Sequence, residues 1–483
     1  MATRRDDSEI YTSPITAGRR RGERAVATGR IHEPARETPV LERVDVLVVG
    51  GGPSGTAAAI AAARLGARVL LVERYNHLGG LATGGLVIWI DRMTDWSGRR
   101  VISGIGQELI ERLPEDAIHG PAAPIWGSND PDQVRHWKLR MAAFHDTVTW
   151  SPMTDPEQLT TVSLATVRAA GAELMFHAWA AAPIVEDGRV AGAIFESKQG
   201  RFAVLAGVTV DATGDGDLFA QAGERAADDV EEASYHHCMN TAFLWGGVDM
   251  RAWFAFRQSS GFEAFSAAGR AAIASFDLPD ASWRNDVALF MGPRFAGYSA
   301  LDVRDLTEVE LRSRDKMREL LAFYRRHAPG FANAWALLTA PQIGVRHSRR
   351  LIGLKSMSRD DWVAGVVHGD EIGVSPSLAP KWADVSVPYG CLVPRAVDGL
   401  LVSGRHLSCD APSHTFMREI PQCWVTGQAA GAAAALAIEA GVQLRAVDVG
   451  RLQQVLLKQG AHLRAAEARA SAAHVEIAAA GTN

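Results

Sequence analysis

Near the amino end, a short apolar run leads directly into closely spaced glycines. Residues 44–49 read VDVLVV, which is typical of a strand buried on both faces, and Gly-x-Gly-x-x-Gly follows at once. The Ala-rich segment after the glycines predicts a helix over residues 53–65, and residues 67–72 predict a second strand that ends at Glu73. Strand, glycine triplet, helix, strand and acid in this order predict a dinucleotide-binding β–α–β unit.

Each glycine of this triplet meets a separate requirement of such a unit. Gly50 permits a tight turn, Gly52 lets a pyrophosphate approach the backbone, and Gly55 lets the helix pack on the strand. The free N–H groups and the positive dipole end of the helix then point at the pyrophosphate. Glu73 follows about 20 residues after the glycines, where a ribose hydroxyl needs an acceptor.

Two further loops place glycine and small residues after a predicted strand. Residues 76–85 include four glycines within the last seven positions, and residues 204–210 predict a strand that enters the loop 211–217, DATGDGD. Such backbone bends sharply or lies against a ligand. For residues 76–85, the alternative is a flexible loop.

The periodicity predicts further elements around these loops. Asp155 caps a helix that has Pro156 at its first position, and Asp187-Gly188 forms the turn of a hairpin. The other predicted elements are helices over 105–113, 156–170, 421–440 and 447–459, and strands over 173–178, 183–185, 190–196 and 400–402.

The middle of the chain lacks the Rossmann pattern and is rich in aromatic residues and turn-forming proline and glycine. We therefore predict an α/β protein with a Rossmann-like nucleotide-binding domain, discontinuous in sequence, and an inserted α+β substrate or cap domain. The predicted parts are an extended or disordered arm over 1–43, the nucleotide-binding domain over 44–100, 151–230 and 386–445, the cap over 101–150 and 231–385, and a C-terminal helix and tail over 446–483.

Composition narrows the classes of function. The 483 residues carry a formal net charge of −5, which argues against a general nucleic-acid-binding protein. The four cysteines form no C-x-x-C pair and no zinc-finger spacing with histidine, so neither a metal site nor a disulfide framework is predicted. No apolar run reaches the roughly 18–20 residues of a membrane span, and a cytoplasmic setting is expected. A homo-oligomer is possible, and the sequence does not decide the oligomeric state.

Five segments occur in the order of a known family. They are VDVLVVGGGPSGTAAAIAAARLGARVLLVER, LGGLATGG, VDATGDGDLFAQAG, IGVRHSRRLIG, and the region from VPYGCLVPRAVDGLLVSGRHLS to SHTFMREIPQCWVTGQAAGAAAALA. The chain resembles FAD-dependent oxidoreductases of the glutathione-reductase-like two-domain flavoprotein superfamily, and most closely a branch related to fumarate reductase and succinate dehydrogenase flavoproteins. The resemblance implies FAD as the cofactor and a Rossmann-like FAD-binding domain.

The same resemblance assigns cofactor roles by position. It implies that Glu73 holds the adenosine ribose and that Gly404 and Arg405 lie beside the ribityl chain. The helix that starts near Pro421 would point at the flavin pyrimidine, where negative charge develops on reduction. The implied FAD-binding residues are Gly50, Gly52, Pro53, Ser54, Gly55, Glu73, Arg74, Gly79, Gly80, Leu81, Thr83, Gly84, Thr213, Gly214, Asp215, Gly404, Arg405, Pro421 and Gln422.

Two departures from the superfamily narrow the chemistry. No cysteine precedes Cys238, which excludes the disulfide exchange that some members carry out beside the flavin. Gly104-Ile105-Gly106 lacks a third glycine at the right spacing, so only one dinucleotide fingerprint exists. A dedicated NAD(P)H domain is therefore not expected, and the electron acceptor or donor stays unknown.

The segment 413–418 supplies the first catalytic candidates. Arg418 suits bidentate contacts to a carboxylate or an enolate-like oxygen, and His414 suits proton transfer near neutral pH. The alternative is that Arg418 pairs with Glu419 and His414 only packs.

Two further candidate groups lie earlier in the chain. Arg346 and His347 begin a run of four potential cations, which needs anions to offset the repulsion, and surface pairing is the alternative. His236 and His237 fall on a predicted strand whose successive side chains face opposite sides, so at most one, taken as His237, points inward.

The favoured function is hydride transfer between FAD and a small organic substrate. The reaction would be dehydrogenation or reduction at a C–C bond next to a carbonyl. The alternatives are oxidation of an alcohol or amine carbon, a flavin monooxygenase, and a non-catalytic FAD-binding protein. Gly404-Arg405 in place of the Gly-Asp usual in hydroxylases disfavours the monooxygenase.

Overall fold

A seven-stranded sheet forms the centre of the molecule. The computed structural model describes residues 13–18, 27, 29–227 and 235–464. Five strands of the sheet run parallel, which confirms the α/β fold with a Rossmann-like unit. In spatial order they are Glu173–Met175, Val69–Val72, Val40–Val49, Gly200–Asp211 and Leu400–Val402, and the predicted hairpin, Trp179–Glu186 with Arg189–Ser197, pairs with the amino-terminal half of Gly200–Asp211.

The carboxyl ends of these parallel strands lie side by side. Asp211 pairs with Val49 on one side and with Val402 on the other. Val72 in turn pairs with Val49. Because four strands end at the same level, the loops that follow them begin together at one edge of the sheet, where ligands of open α/β sheets bind.

Two helices pack against each other through direct backbone contact. The helix Pro53–Ala63 follows the glycine triplet, and the helix Ile420–Ala440 lies close to the carboxyl end of the chain. A Cβ atom on Gly431 would lie 2.0 Å from the carbonyl oxygen of Ala58, and Gly427 meets another carbonyl of the first helix at the same distance. Side chains would prevent this approach, so the two glycines set how close the helices lie.

A second region, formed by Ile15–Thr16 and residues 239–345, contains two smaller sheets and an aromatic core. Trp245, Trp253 and Tyr324 are buried among other aromatic rings, with Trp253 and Tyr324 at a centroid distance of 5.6 Å. Both tryptophans therefore belong to the core. One sheet has the order Ile15–Thr16, Arg294–Ala296, Met239–Asn240, Gly344–Val345, and the other has the order Asp280–Ala281, Val287–Phe290, Phe243–Gly246, Trp335–Thr339.

Part of the amino-terminal arm belongs to one of these sheets. Ile15–Thr16 pairs in parallel with Phe295 and Ala296, and the Ala17 N–H donates to the Ala296 carbonyl at 3.0 Å. Ile15 packs against a buried cluster that includes Val345. Residues 1–12, 19–26 and 28 of the predicted extended or disordered arm lie outside the described residues, as does the part of the predicted tail after residue 464.

Several predicted elements start or end elsewhere. The first strand begins at Val40 rather than residue 44, since residues 40–43 pair with Gly200–Asp211 although they are largely exposed and so give no apolar run. His236 and His237 lie in the 3₁₀ turn Tyr235–His237, so the predicted strand there is wrong. Strand pairing starts only at Met239, two residues later.

The helix Ile105–Glu111 packs against both Pro53–Ala63 and Ile420–Ala440, although the sequence grouped it with the cap. The domain boundaries remain a prediction.

Among the described residues, no helix has both the length and the hydropathy to cross a bilayer. The other helices are Pro131–Lys138, Pro156–Ala169, Asp217–Gln221, Met250–Arg257, Phe262–Ala272, Val303–His327, Arg359–Val363, Ala411–Met417 and Val449–Lys458, and the other strands are Ile118–His119, Ala143–Phe144, Thr147–Val148, Met153–Thr154, Ala226–Ala227, Arg350–Leu351, Glu371–Ser375 and Val385–Pro388.

Gly431→Ala is expected to destabilise the protein. Its methyl group has no room beside the Ala58 carbonyl, and such overpacking costs about 1–3 kcal/mol. Denaturant unfolding followed by circular dichroism measures the loss. The matched control is Gly450→Ala in Val449–Lys458, where the nearest atom, Asp448 Oδ1, is 3.3 Å from the new Cβ and helix propensity favours alanine. Equal stability of Gly431→Ala and wild type would contradict the packing argument.

Candidate active site

The loops at the carboxyl edge of the central sheet line a cavity of about 770 Å³. This volume lies within the roughly 300–1,000 Å³ of small-molecule and cofactor sites. One part of the wall comes from the loops after the parallel strands, and another part comes from the second region. The cavity therefore adjoins both the edge at which open α/β sheets bind ligands and residues of the second region.

The glycine triplet forms one end of the wall. Gly50 has φ of 102°, and a Cβ there would lie 2.4 Å from the Ala212 carbonyl oxygen. A Cβ on Gly55 would lie 1.7 Å from the Gly50 carbonyl oxygen. Gly52 lines the cavity, and no atom lies within 4 Å of a Cβ built on it. Gly50 and Gly55 are thus required by packing, whereas Gly52 keeps the cavity open.

Glu73 lies in the wall directly beside the triplet. Its carboxylate accepts hydrogen bonds from the Gly51 N–H at 2.5 Å and from the Tyr75 N–H at 2.9 Å. Arg74 places its guanidinium 5.0 Å from the Tyr75 ring and 4.7 Å from the Trp179 ring. The acid therefore holds the fingerprint loop in place, and the cation rests on an aromatic part of the wall.

Arg405 ties together the loops after two neighbouring strands. Its Nε donates to the Gly214 carbonyl at 2.8 Å, and Nη2 lies 2.6 Å from Asp215 Oδ1. Nη1 also donates to the Val345 carbonyl. A side chain only 12% exposed thus fixes the loop 212–217 against the loop after Leu400–Val402.

Asp217 on the same loop is a partly buried acid with an altered pKa. Burial, together with the nearby charges of Asp215 and Asp211, raises the pKa of Asp217 to about 6. Arg349 lies 3.3 Å from Asp217 Oδ1 and donates from Nε to the Asp215 carbonyl at 2.7 Å. Arg349 therefore pairs with an acidic side chain, which offsets part of the repulsion expected among the cations at 346–350.

Four charged side chains elsewhere in the wall form a group that we call the charged quartet: Asp91, Arg346, Arg418 and Glu419. Arg418 Nη2 lies 2.9 Å from Glu419 Oε1, and the two side chains are 10% and 18% exposed. Burial raises the pKa of Glu419; Arg418 and Arg346 act against this rise, and Asp91 adds to it. The quartet is balanced in charge, with one acid disposed to hold a proton.

Apolar side chains occupy much of the remaining wall. They come from the segment after the glycine loop, from the segments after Pro131–Lys138 and Glu371–Ser375, from the second region and from the helix before Arg418. They include Val87, Trp89, Met141, Met291, Leu378 and Phe416. A carbon skeleton can therefore be buried in the same cavity as the charged quartet.

The three histidines predicted as catalytic meet one another rather than the cavity, and His236 lines the cavity although His237 was the predicted inward-facing residue of that pair. The ring centroids of His237, His347 and His414 lie 4.9–6.1 Å apart. His414 is fully buried and donates from Nε2 to the Arg405 carbonyl at 3.0 Å. Burial, His347, Arg418, Arg350 and His237 hold the pKa of His414 well below its usual range, so this imidazole is neutral.

The predicted site residues divide between the cavity wall and its support. Gly79 adopts φ of 92°, the buried Thr83 donates to the Leu78 carbonyl at 2.6 Å, and Gln422 donates to Ser375 Oγ at 2.9 Å. Those that line the cavity are Gly50, Gly52, Pro53, Ser54, Glu73, Arg74, Gly80, Leu81, Thr213, Gly214, Asp215, Gly404, Arg405, Arg346 and Arg418; those that do not are Gly55, Gly79, Thr83, Gly84, Pro421, Gln422, His237, His347 and His414.

Several residues of the wall, among them Asp91 and Cys423, were not among the predicted site residues, and Glu419 was considered only as a partner of Arg418. Asp91 follows a short apolar stretch with no periodic signal. Glu419 directly precedes a helix that begins Ile-Pro, and this acid at a helix start was the available signal. Cys423 lies in the first turn of that helix, where burial raises the pKa of its thiol to about 12, so it stays uncharged.

Comparison with known proteins shows the family of this chain. A family model described as FAD dependent oxidoreductase matches residues 45–456, most of the chain. The chain belongs to this family. It is therefore an FAD-dependent oxidoreductase with FAD as its cofactor.

Individual relatives match shorter stretches. Sarcosine oxidase subunit alpha of Corynebacterium sp. (strain U-96) is 35% identical over 105 residues, covering 21% of this chain and 10% of that protein. Urocanate reductase of Eggerthella lenta is 32% identical over 120 residues, covering 23% of this chain and 18% of that protein. The chain thus spans less than a quarter of either relative's length. A solved geranylgeranyl bacteriochlorophyll reductase-like protein of Thermoplasma acidophilum is 16% identical, with a TM-score of 0.43 over 86% of this chain and 83% of that one.

The residues of the cavity fit FAD. The open space at Gly52 allows a diphosphate to approach the backbone, and Pro53 and Ser54 bring the start of the helix Pro53–Ala63 to the wall. Ile420 and Cys423 bring the start of a second helix to the same cavity. Two helix starts on one cavity can hold an anionic diphosphate and the pyrimidine of a reduced flavin.

Gly52→Val is expected to abolish FAD retention and to leave the fold intact. The backbone at Gly52 has φ −66° and ψ −175°, which valine adopts, and its side chain would fill the open space of the cavity. Flavin absorbance per mole of purified protein measures retention, and thermal unfolding of FAD-free protein measures the fold. The control is Gly369→Val, at an exposed glycine where a Cβ also meets nothing. A flavin content equal to wild type would contradict this role of Gly52.

Asp217→Asn is expected to stabilise FAD-free protein at neutral pH. The raised pKa of Asp217 means that the folded state favours the protonated carboxyl group. The contribution of Asp217 to the free energy of unfolding is therefore fully present below the ordinary pKa of aspartate, and it is lost as the pH rises to about 6. The gain from asparagine is below about 3 kcal/mol, since each pKa unit is worth about 1.4 kcal/mol and the side chain is partly solvated.

Denaturant unfolding at about pH 4 and about pH 7 measures this difference, which should grow with pH. The control is Asp315→Asn, whose side chain is 60% exposed. A pH-independent difference would contradict the burial of the Asp217 charge.

Proposed function

We propose that this oxidoreductase transfers hydride between FAD and a small organic substrate at a C–C bond next to a carbonyl. The observation that carries the proposal is the presence of Arg346, Arg418 and a set of apolar side chains on the wall of one cavity. Arginine donates two parallel hydrogen bonds to planar oxygen groups, and apolar residues bury carbon. Such a wall suits a substrate that has both a planar oxygen group and a carbon skeleton.

The arginines have a direct chemical use in such a reaction. Positive charge beside the carbonyl oxygen stabilises the enolate-like charge that develops when a hydrogen on the adjacent carbon is lost or gained. Arg418 is held by Glu419 at 2.9 Å and is only 10% exposed, so its guanidinium is preorganised and largely shielded from water. Both conditions strengthen its action on a bound oxygen.

Residues of the wall would hold FAD along the rest of the cavity. FAD supplies the two-electron hydride acceptor or donor. In this proposal Gly50, Gly52 and Ser54 bind the diphosphate and Glu73 binds the adenosine ribose. The start of the helix Ile420–Ala440 would face the flavin, and its dipole favours the reduced form.

The branch related to fumarate reductase and succinate dehydrogenase flavoproteins remains our preferred placement. The local match to urocanate reductase, 32% identical over 120 residues, supports it. Oxidation of an amine carbon is the second candidate. The match to sarcosine oxidase subunit alpha and the two acids of the charged quartet favour it, since Asp91 and Glu419 could bind an amine.

Anaerobic reduction of the bound flavin tests the proposal. Purified enzyme is mixed with cyclic ketones, organic acids, alcohols and amines, and loss of the yellow colour is followed. We expect a compound with a C–C bond next to a carbonyl to bleach the flavin. Bleaching by amines or alcohols alone would overturn the preferred reaction. Release of peroxide under air would identify oxygen as the electron acceptor.

Arg418→Ala is expected to slow this reduction by about 10²-fold, the typical loss for one donor to a developing oxyanion. Its FAD content should stay at the wild-type level, because Arg418 belongs to the substrate part of the proposal. The matched control is Arg318→Ala, at an arginine 81% exposed on the surface. Normal turnover by Arg418→Ala would remove the role given to this residue.

A further inference from the structure

We infer that Glu419 is the residue that exchanges the substrate proton, and this inference rests on the proposed hydride transfer. Glu419 would accept the proton from the carbon next to the carbonyl in dehydrogenation and return it in reduction. The sequence had directed this task to His414. The geometry of the cavity favours the acid.

The positions of the two side chains differ in a decisive way. Glu419 lines the cavity, whereas His414 does not. The Nε2–H of His414 is occupied by the Arg405 carbonyl at 3.0 Å, and its ring lies against His347 and His237. A group must reach the reacting atom before its pKa matters, so His414 is poorly placed to transfer the proton.

The surroundings of Glu419 suit a carboxyl group that changes its protonation state. The charged and titratable groups that face it are Arg418 from its own segment, Asp91 from the loop after Trp89, Arg346 from the loop after Gly344–Val345, and Cys423 from the next helical turn. Arg418 fixes one oxygen at 2.9 Å. Burial and the Asp91 charge raise the pKa of Glu419 towards the working pH, where a general acid or base is most effective.

The proposed reaction balances with these groups alone. In dehydrogenation, one C–H bond next to the carbonyl breaks and its proton goes to the Glu419 carboxylate. The hydride from the neighbouring carbon takes two electrons to FAD, and the C=C bond forms from the electron pair that the proton left behind. In reduction, each of these transfers is reversed. No further oxidant or acid is needed within the half-reaction.

The test compares the pH dependence of anaerobic flavin reduction in wild type and Glu419→Gln. Wild type should reduce faster as the pH rises through the pKa of Glu419 and then level off, because the ionised form is the base. Glu419→Gln should lose this rise and react about 10²–10⁴-fold more slowly, the usual contribution of general acid–base catalysis. Its FAD content and its substrate affinity, read from the shift of the flavin spectrum on binding, should stay close to wild type.

Two further variants keep the test decisive if Glu419→Gln fails to fold. Glu419→Asp keeps the carboxyl group and should retain the pH-dependent rise at a lower rate. Asp91→Asn removes a charge that raises the pKa of Glu419, so the rise should shift to lower pH. The matched control is Glu439→Gln, at the other end of the same helix and 62% exposed, which should behave as wild type.

Infrared difference spectroscopy supplies a readout that does not depend on turnover. Wild type should show the C=O stretch of a protonated carboxyl group that titrates with the kinetic midpoint, and Glu419→Gln should lack it. An unchanged pH profile in Glu419→Gln would overturn the inference, and so would a loss that lies only in substrate affinity or FAD content. If only alcohols or amines bleach the flavin, the proposed function fails, and the same comparison with that substrate still tests Glu419, because those oxidations also release a proton.

Discussion

The register of the central sheet is the constraint on which the cavity depends. Asp211 stands between Val49 and Val402 in a continuous parallel ladder, so three loops that are far apart in sequence begin at one level. Glycine contacts then bring Ile420–Ala440 onto Pro53–Ala63. The Ser54 and Ser403 hydroxyls, 2.6 Å apart, form a hydrogen bond between the helix Pro53–Ala63 and the loop after Leu400–Val402. A shift of one residue in this ladder would turn every side chain of a strand to the other face and separate the loops.

Much of the FAD-binding part could be predicted from sequence because its signals are local. A buried strand, a glycine triplet and an Ala-rich helix follow one another within some twenty residues, and backbone requirements at Gly50 and Gly55 dictate the residue type. The hairpin at Asp187-Gly188 was predictable for the same reason, since turn chemistry depends on two adjacent residues. Boundaries were less accurate where strand pairing rather than apolar pattern decides them, as at Val40.

The substrate part could not be predicted in the same way. Asp91, Arg346 and Glu419 are separated by long stretches of sequence, and only the tertiary fold brings them to one wall. The histidines show the converse problem. His237, His347 and His414 have the residue type of catalytic groups, but the fold packs their rings against one another. Chemical type is visible in a sequence, whereas access to a cavity is a property of the packed chain.

The hydrogen bond between Ser54 and Ser403 and the glycine contacts of Ile420–Ala440 also bear on the order in which the protein folds. The glycine triplet leaves the ribosome early, while the residues that close the cavity around it lie in the last fifth of the sequence. Domains tend to fold as units during synthesis, with amino-terminal parts first. The β–α–β unit alone supplies only part of the cavity wall, and the strand Leu400–Val402 and the helix Ile420–Ala440 must dock on it to complete that wall. Retention of the flavin would consequently report that these distant segments have come together.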